Sequence, residues 1–231
     1  MKLAIVIPAF DEAATIAAVI ADVAPFGQAI VVDDCSSDDT AAIAAAAGAL
    51  VVRHGVNQGY DGALASGFAA ADGRGFEAVA TFDADGQHDA ASLTEFIAAL
   101  ERGAELVVGE RPRPARLAEA LFNLYTRWRF GVRDILCGLK AYRMTLYRRH
   151  GRFDANRSIG TELALAGLRR GVAVARVEVP IHARADRSRL GSLLRANGRI
   201  LRALGLAFAA DLRRPRRWPT GSEPLKPGES G

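Results

Sequence analysis

A chain of 231 residues, half hydrophobic and about a quarter charged, fits one globular domain with a sizeable core and some chain beyond it. Two cysteines, Cys35 and Cys137, in separate motifs exclude a cysteine-based metal site and suit a reduced cytosolic compartment. The net charge of +4 is uneven: residues 184–217 carry ten arginines against Asp186 and Asp211, leaving an acidic body with a basic carboxyl-terminal segment suited to an anionic surface.

The amino terminus, MKLAIVIPAF, has a short apolar run ending at proline and no small-residue cleavage site, so it reads as a buried strand and not a signal peptide. Strand-like runs at Leu3–Ile7, Ala29–Val32, Leu50–Arg53, Ala78–Phe82 and Leu106–Val108 alternate with helical patterns at Glu12–Ala24, from the Ser37-Asp38-Asp39-Thr40 cap to Gly48, at Gly62–Ala71 and at Ala91–Glu101. Near-continuous apolar strands alternating with helices predict a parallel sheet covered on both faces, with the strand-end loops on one edge. Beyond the loop at Arg111-Pro112-Arg113-Pro114 come helices at Leu117–Phe130 and Ile159–Arg170 and a strand at Val172–Val179. From Arg189 to Leu212 an apolar stripe opposes Arg195, Arg199, Arg202 and Arg213, the pattern of a helix in a membrane interface and equally of a packed surface helix. Residues 215–231, rich in Pro, Gly, Ser and charge, are expected to be disordered. The division is an α/β domain at 1–188, an amphipathic basic helix at 189–212 and a tail at 213–231. No stretch reaches the roughly 18 apolar residues of a spanning helix.

Four strand-end loops carry the chemistry. The fourth strand ends in Asp83-Ala84-Asp85-Gly86-Gln87-His88, where two carboxylates can share a hard divalent cation, with Gln87 as a neutral oxygen ligand. A cation held by so few protein oxygens spends its other positions on phosphates. The remaining loops are Pro8-Ala9-Phe10-Asp11-Glu12, Asp33-Asp34-Cys35-Ser36 and Asn57-Gln58-Gly59-Tyr60, and all four can converge outside the sheet's carboxyl edge. Neither G-x-G-x-x-G after the first strand nor G-x-x-x-x-G-K-[ST] occurs, so a carboxylate-held metal is the natural holder of a pyrophosphate. Of the four histidines, only His88 adjoins the acidic turn, as a site residue or a bystander.

The motifs IVIPAFDEAATI, VVDDCSSDDT, VNQGYDGALASGF and TFDADGQHD together resemble the family 2 glycosyltransferases of GT-A fold. VGERPRP, RDILCGLKAYR and VEVPIHARADRSRLGS resemble the branch with dolichyl-phosphate mannose synthase and bacterial polyprenyl-phosphate glycosyltransferases. The resemblance implies a Rossmann-like, mostly parallel sheet. It puts Pro8, Ala9, Glu12, Asp33 and Asp34 at the nucleotide, with Asn57, Gly59 and Ala84 in the same set, and Mg²⁺ or Mn²⁺ on Asp83, Asp85 and Gln87. Arg111, Arg133, Arg184 and Arg189 match arginines that would hold an anionic acceptor and the leaving diphosphate. The chain departs from the pattern with Asp11 for Asn, Cys137 for the Ser before Gly138, and Arg189 for Lys in a late motif one residue short.

The expected reaction is inverting transfer from a nucleoside diphosphate sugar, of GDP-mannose or UDP-glucose type, to a polyprenyl phosphate at the cytoplasmic membrane face. The catalytic set is Asp85, Arg133 and Asp134. An ionised phosphate needs no general base; a saccharide acceptor would need one, and Asp134 is then the candidate unless it orients Arg133. A catalytically silent sugar-nucleotide-binding protein is the reading from another class. Nucleic acid is a poor partner, because the strand-end carboxylates repel a phosphate backbone.

Overall fold

The computed structural model describes residues 1–86, 88–112, 117–180 and 193–212, with the backbone alone at 193–196. The elements run β1 Leu3–Ala9, α1 Ile16–Val23, β2 Gln28–Asp33, α2 Thr40–Ala46, β3 Leu50–Arg53, α3 Gly59–Gly73, β4 Ala78–Thr81, α4 Leu93–Glu101, β5 Leu106–Glu110, α5 Leu117–Phe130, β6 Lys140–Arg143, α6 Met144–His150, α7 Glu162–Arg170, β7 Val174–Glu178 and α8 Leu193–Leu212. The strands form one sheet in the order β3-β2-β1-β4-β6-β5-β7. All neighbours are parallel except β6, which runs antiparallel to both β4 and β5.

The central strand β1 is apolar at every position because both faces are covered. Along β1, Leu3, Ile5 and Ile7 enter one core while Ala4 and Val6 enter the other. The helix α3 lies so close over β1 that a Cβ on Gly67 would come within 2.2 Å of Val6 Cγ1, which is why a glycine interrupts an otherwise alanine-rich helix.

Two elements escape the sequence reading. The strand β6 is four residues, KAYR, whose first side chain is a buried lysine, and α6 follows it immediately. The helix α1 starts four residues later than expected, because Glu12–Thr15 forms a turn whose Glu12 carbonyl accepts from the Thr15 and Ile16 N–H groups. The strand β7 is shorter at both ends than expected. The expected disorder of 215–231 lies outside the described residues.

The carboxyl-terminal helix departs from a purely interfacial one. Ile200, Ala203 and Ala207 are buried in the core beneath it. Asp211 fastens it to two other helices, accepting from Tyr125 Oη at 2.7 Å and Arg129 Nε at 3.2 Å on α5 and from Arg169 Nε at 2.6 Å on α7. Burial opposes ionisation of Asp211, but the Arg169 and Tyr125 hydrogen bonds and the arginine charges hold its carboxyl below the usual range.

Candidate active site

The carboxyl ends of β1, β2, β3 and β4 bring the four predicted loops to one edge. Pro8 and Ala9 close β1 in register with Val32 and Asp33, and Asp33 faces Arg53 at the end of β3. Past β1, Asp11 takes a left-handed conformation at φ 51°, which Asp and Asn tolerate better than other non-glycine residues, so Asp in place of Asn keeps the turn. Its backbone N–H donates to Ser36 Oγ at 2.9 Å, and the Glu12 N–H donates to Thr40 Oγ1 at 2.8 Å, locking the first loop onto the second.

The adjacent carboxylates Asp33 and Asp34 are both buried and hold different things. Asp33 receives the Ser36 N–H at 3.2 Å and Arg53 Nε at 3.0 Å. Asp34 receives the N–H groups of Gln58 at 2.8 Å and Gly59 at 2.7 Å, capping α3 from a neighbouring loop. His54 Nδ1 lies 2.7 Å from Asp34 Oδ1, and its Nε2 lies 2.8 Å from Ser66 Oγ on α3. Asn57 Nδ2 donates to the Asp34 carbonyl at 3.1 Å. Gly59 sits at φ 79°, a conformation that lets both N–H groups turn toward the carboxylate. An open cavity of about 390 Å³ beside this cluster is lined by Cys35, Arg53, His54 and Gly55. The sequence reading set His54 aside, because its role comes from the packing of three loops and leaves no local signature.

At the fourth loop the Asp83 side chain is 29% exposed. Tyr60 Oη donates to its Oδ1 at 3.3 Å, and His88 Nε2 lies 3.1 Å from its Oδ2. Burial works against its ionisation, but His88, the nearby Lys140 ammonium and Tyr60 together hold it below the usual carboxylate range. Asp85 follows in the turn, half-buried, and Gly86 completes it at φ 69°. Gln87 lies outside the described residues. Oxygen donors of this kind suit a hard divalent cation, and a histidine that orients a ligating carboxylate from behind is a usual support for one. Among the described residues no cluster of three His, Cys, Asp or Glu side chains could hold a metal alone. Asp83 and Asp85 therefore suit a cation that completes its shell from elsewhere, as a pyrophosphate would allow.

The segment 133–138 passes directly over this turn. A Cβ on Gly138 would lie 2.1 Å from Asp83 Oδ2, so only glycine lets the loop approach. The Gly138 carbonyl accepts from Thr81 Oγ1 at 2.6 Å, and Lys140 Nζ donates to the Cys137 carbonyl at 2.6 Å. Burial lowers the Lys140 pKa, opposed by Cys137 and the carboxylates Asp134 and Asp83, and burial pushes the Cys137 thiol up to about 11. Lys140 and Tyr60 were not predicted as site residues, although both lie in motifs read there.

Asp134 does not orient Arg133, as the sequence reading allowed. Its carboxylate forms a two-pronged pair with Arg111, Nε to Oδ2 at 2.5 Å and Nη2 to Oδ1 at 3.0 Å, and Asn123 Nδ2 adds a bond at 3.3 Å. Arg111 Nη2 also reaches Glu119 Oε2 at 3.3 Å. Despite burial, these partners hold Asp134 below the usual range and Arg111 above its own. The Arg111 side chain, matched by resemblance to the nucleotide sugar, is 15% exposed and turned to these carboxylates, whereas Arg133 is 63% exposed, with Nε 3.9 Å from Glu110 Oε2. Arg184 and Arg189 lie outside the described residues.

A mostly parallel α/β sheet carries a carboxylate turn and arginines at its carboxyl edge, and comparison with known proteins gives its family. The model of glycosyl transferase family 2 matches residues 4–154, and the chain belongs to that family. An uncharacterized glycosyltransferase of Mycobacterium tuberculosis is 38% identical over 141 residues, 57% of this chain; the chain covers 63% of that relative, less than two thirds of its length. A dolichyl-phosphate hexose transferase of Haloferax volcanii is 29% identical over 201 residues, 81% of this chain and 86% of its own. A solved structure of glucosyl-3-phosphoglycerate synthase from Mycobacterium tuberculosis, in complex with Mn²⁺, UDP and glucosyl-3-phosphoglycerate, matches with a TM-score of 0.70 at 23% identity, covering 94% of this chain and 81% of that one. The fold is GT-A, as the resemblance implied.

Proposed function

We propose that the chain transfers a hexosyl group, with inversion, from a nucleoside diphosphate sugar to a polyprenyl phosphate at the inner face of the cell membrane. The observation that carries the choice of acceptor is the Arg111–Asp134 pair. The carboxylate that a hydroxyl acceptor would need as base is engaged by a guanidinium and held at low basicity. A phosphate monoester is already ionised at neutral pH, so it needs positioning and not deprotonation. The similarity to a dolichyl-phosphate hexose transferase supports the same choice.

In this reading the Asp34 loop and the start of α3 shape the nucleotide pocket with Pro8, Ala9, Glu12 and Asp33. Asp83 and Asp85, with Gln87, would hold Mg²⁺ or Mn²⁺, which supplies charge neutralisation for the leaving diphosphate. The acceptor loop brings the phosphate oxygen to the anomeric carbon. The new C–O bond forms on the face opposite the departing diphosphate, and exposed Arg133, with Arg184 and Arg189, steadies the acceptor's charge.

The test is release of nucleotide from UDP-glucose and GDP-mannose with Mn²⁺, in separate arms with a short-chain polyprenyl phosphate, a saccharide or 3-phosphoglycerate. Release that depends on the polyprenyl phosphate and disappears on chelation is expected. Release only with one of the other acceptors, or with none, overturns the proposal.

His54 acts here as a positioning residue through Asp34. His54→Ala is expected to raise KM for the sugar nucleotide about tenfold, roughly 1.4 kcal/mol, with kcat nearly unchanged. His54→Asn, which keeps a donor, should recover part of the loss. Steady-state kinetics with the donor varied decides it, because a merely structural role would lower active fraction and kcat instead.

A further inference from the structure

Nearly all the exposed large apolar side chains among the described residues, apart from Met1, Phe10 and Val56, lie on α5 and α8. On α5, Leu117, Leu121, Leu124 and Trp128 fall within an arc of about 60° at helical spacing. The opposite arc carries Phe122 and Thr126 into the core and Glu119 and Asn123 toward the Arg111–Asp134 pair. On α8, Leu201, Phe208 and Leu212 flank the buried stripe and remain exposed. The two helices enclose an open groove of about 550 Å³. Trp128 is 67% and Leu124 64% exposed, a large cost in water unless something covers them.

We propose that this two-helix face docks on an anionic lipid bilayer, with α5 contributing at least as much as α8. Charge favours a bilayer over a second copy of the chain. The acids of the two helices, Glu119 and Asp211, are turned inward to Arg111 and to Arg129 and Arg169. Arg127 is exposed beside Trp128, and the sequence continues after Leu212 as Arg213-Arg214-Pro215-Arg216-Arg217-Trp218. Two such faces would repel each other across a self-interface, whereas anionic headgroups complement them. An exposed tryptophan beside leucines and arginines suits the depth where apolar chains meet headgroups. No described helix is long and apolar enough to cross a membrane. Because the inward arc of α5 holds the Arg111–Asp134 pair, the docked face and the catalytic edge share one helix.

The surface goes beyond the acceptor reading and is tested apart from it. The full chain and its Leu121→Ser/Leu124→Ser/Trp128→Ser variant are floated with vesicles of phosphatidylcholine, with and without phosphatidylglycerol. The parent chain is expected to bind the anionic vesicles, and the variant to partition about tenfold less or weaker. The variant should keep its unfolding temperature and its turnover on a soluble, short-chain polyprenyl phosphate. A second measurement uses Trp218→Phe, which leaves Trp128 as the single indole; its emission should shift to the blue on anionic vesicles. Equal flotation of parent and variant, an unshifted Trp128 emission, or a dimer that the triple variant dissolves without any vesicle binding each overturns the proposal. Patch-dependent flotation with no turnover on polyprenyl phosphate supports the surface and removes the acceptor reading alone.

Discussion

Replacing Gly138 by alanine is expected to lower turnover by about 100-fold while leaving the fold nearly as stable as before. The added Cβ would sit 2.1 Å from Asp83 Oδ2, so one of the two must move. The backbone at Gly138 is fixed by Thr81 and followed at once by β6, in the centre of the sheet. Among the described residues the Asp83 carboxylate, at the end of a short side chain, is hydrogen-bonded by Tyr60 and His88 and by no backbone group. The carboxylate therefore gives way, at small cost to packing, and leaves the position from which it would reach a cation. Displacements of about 1 Å at a positioned group are enough for an effect of this size. The check is kcat at saturating donor and Mn²⁺ beside the unfolding midpoint in urea. The reference is Asp85→Ala, which removes the neighbouring carboxylate outright, and the double variant should lose little more than Asp85→Ala alone. A Gly138→Ala protein that keeps parental turnover would mean that Asp83 does not work from the position it now holds.

Much of this geometry is legible in the sequence, and what is not follows a physical pattern. The strands β1, β2, β4 and β5 declare themselves, because burial on both faces demands nearly unbroken apolar runs, and the edge strand β3 shows a shorter one. The acidic turn declares itself because two carboxylates and a glycine close such a run. The strand β6 does not: it opens with Lys140, whose burial is tolerable only because the Cys137 carbonyl and nearby carboxylates receive its ammonium. That compensation comes from residues brought close by the fold. Likewise His54 gives no sign of its place between Asp34 and Ser66, and Asp134 points to Arg111 across an intervening helix and loop and not to its neighbour Arg133. The stripe of α8 was legible as amphipathic, but which part of it faces the core required α5. The outward leucines and Trp128 of α5 passed as an ordinary helix, because sequence periodicity reports that a face is apolar without reporting what covers it.

The second large effect is expected at Asp134. Asp134→Ala should destabilise the protein by about 3–5 kcal/mol at neutral pH. The Arg111 guanidinium, 15% exposed, would be left with Glu119 as its remaining charged partner. Asp134→Asn keeps the shape and one acceptor and should cost less. The pH dependence separates this from a catalytic-base role. The folded-state carboxyl is held below its ordinary value, so its stabilisation is present above the unfolded-state pKa of about 3.9 and is lost as pH falls through the lower folded value. The gap in unfolding free energy between parent and Asp134→Asn should therefore be constant from neutral pH down to the ordinary carboxylate range and shrink below it. Urea unfolding across that range measures it. A general base would leave a different trace: stability unchanged by Asp134→Asn, and turnover reduced by about 10²–10⁴ with the acidic limb of the rate profile abolished. A buried pair that costs stability when broken, beside a proposed acceptor that carries its own charge, would account for a carboxylate kept next to the segment 133–138 and not used to move a proton.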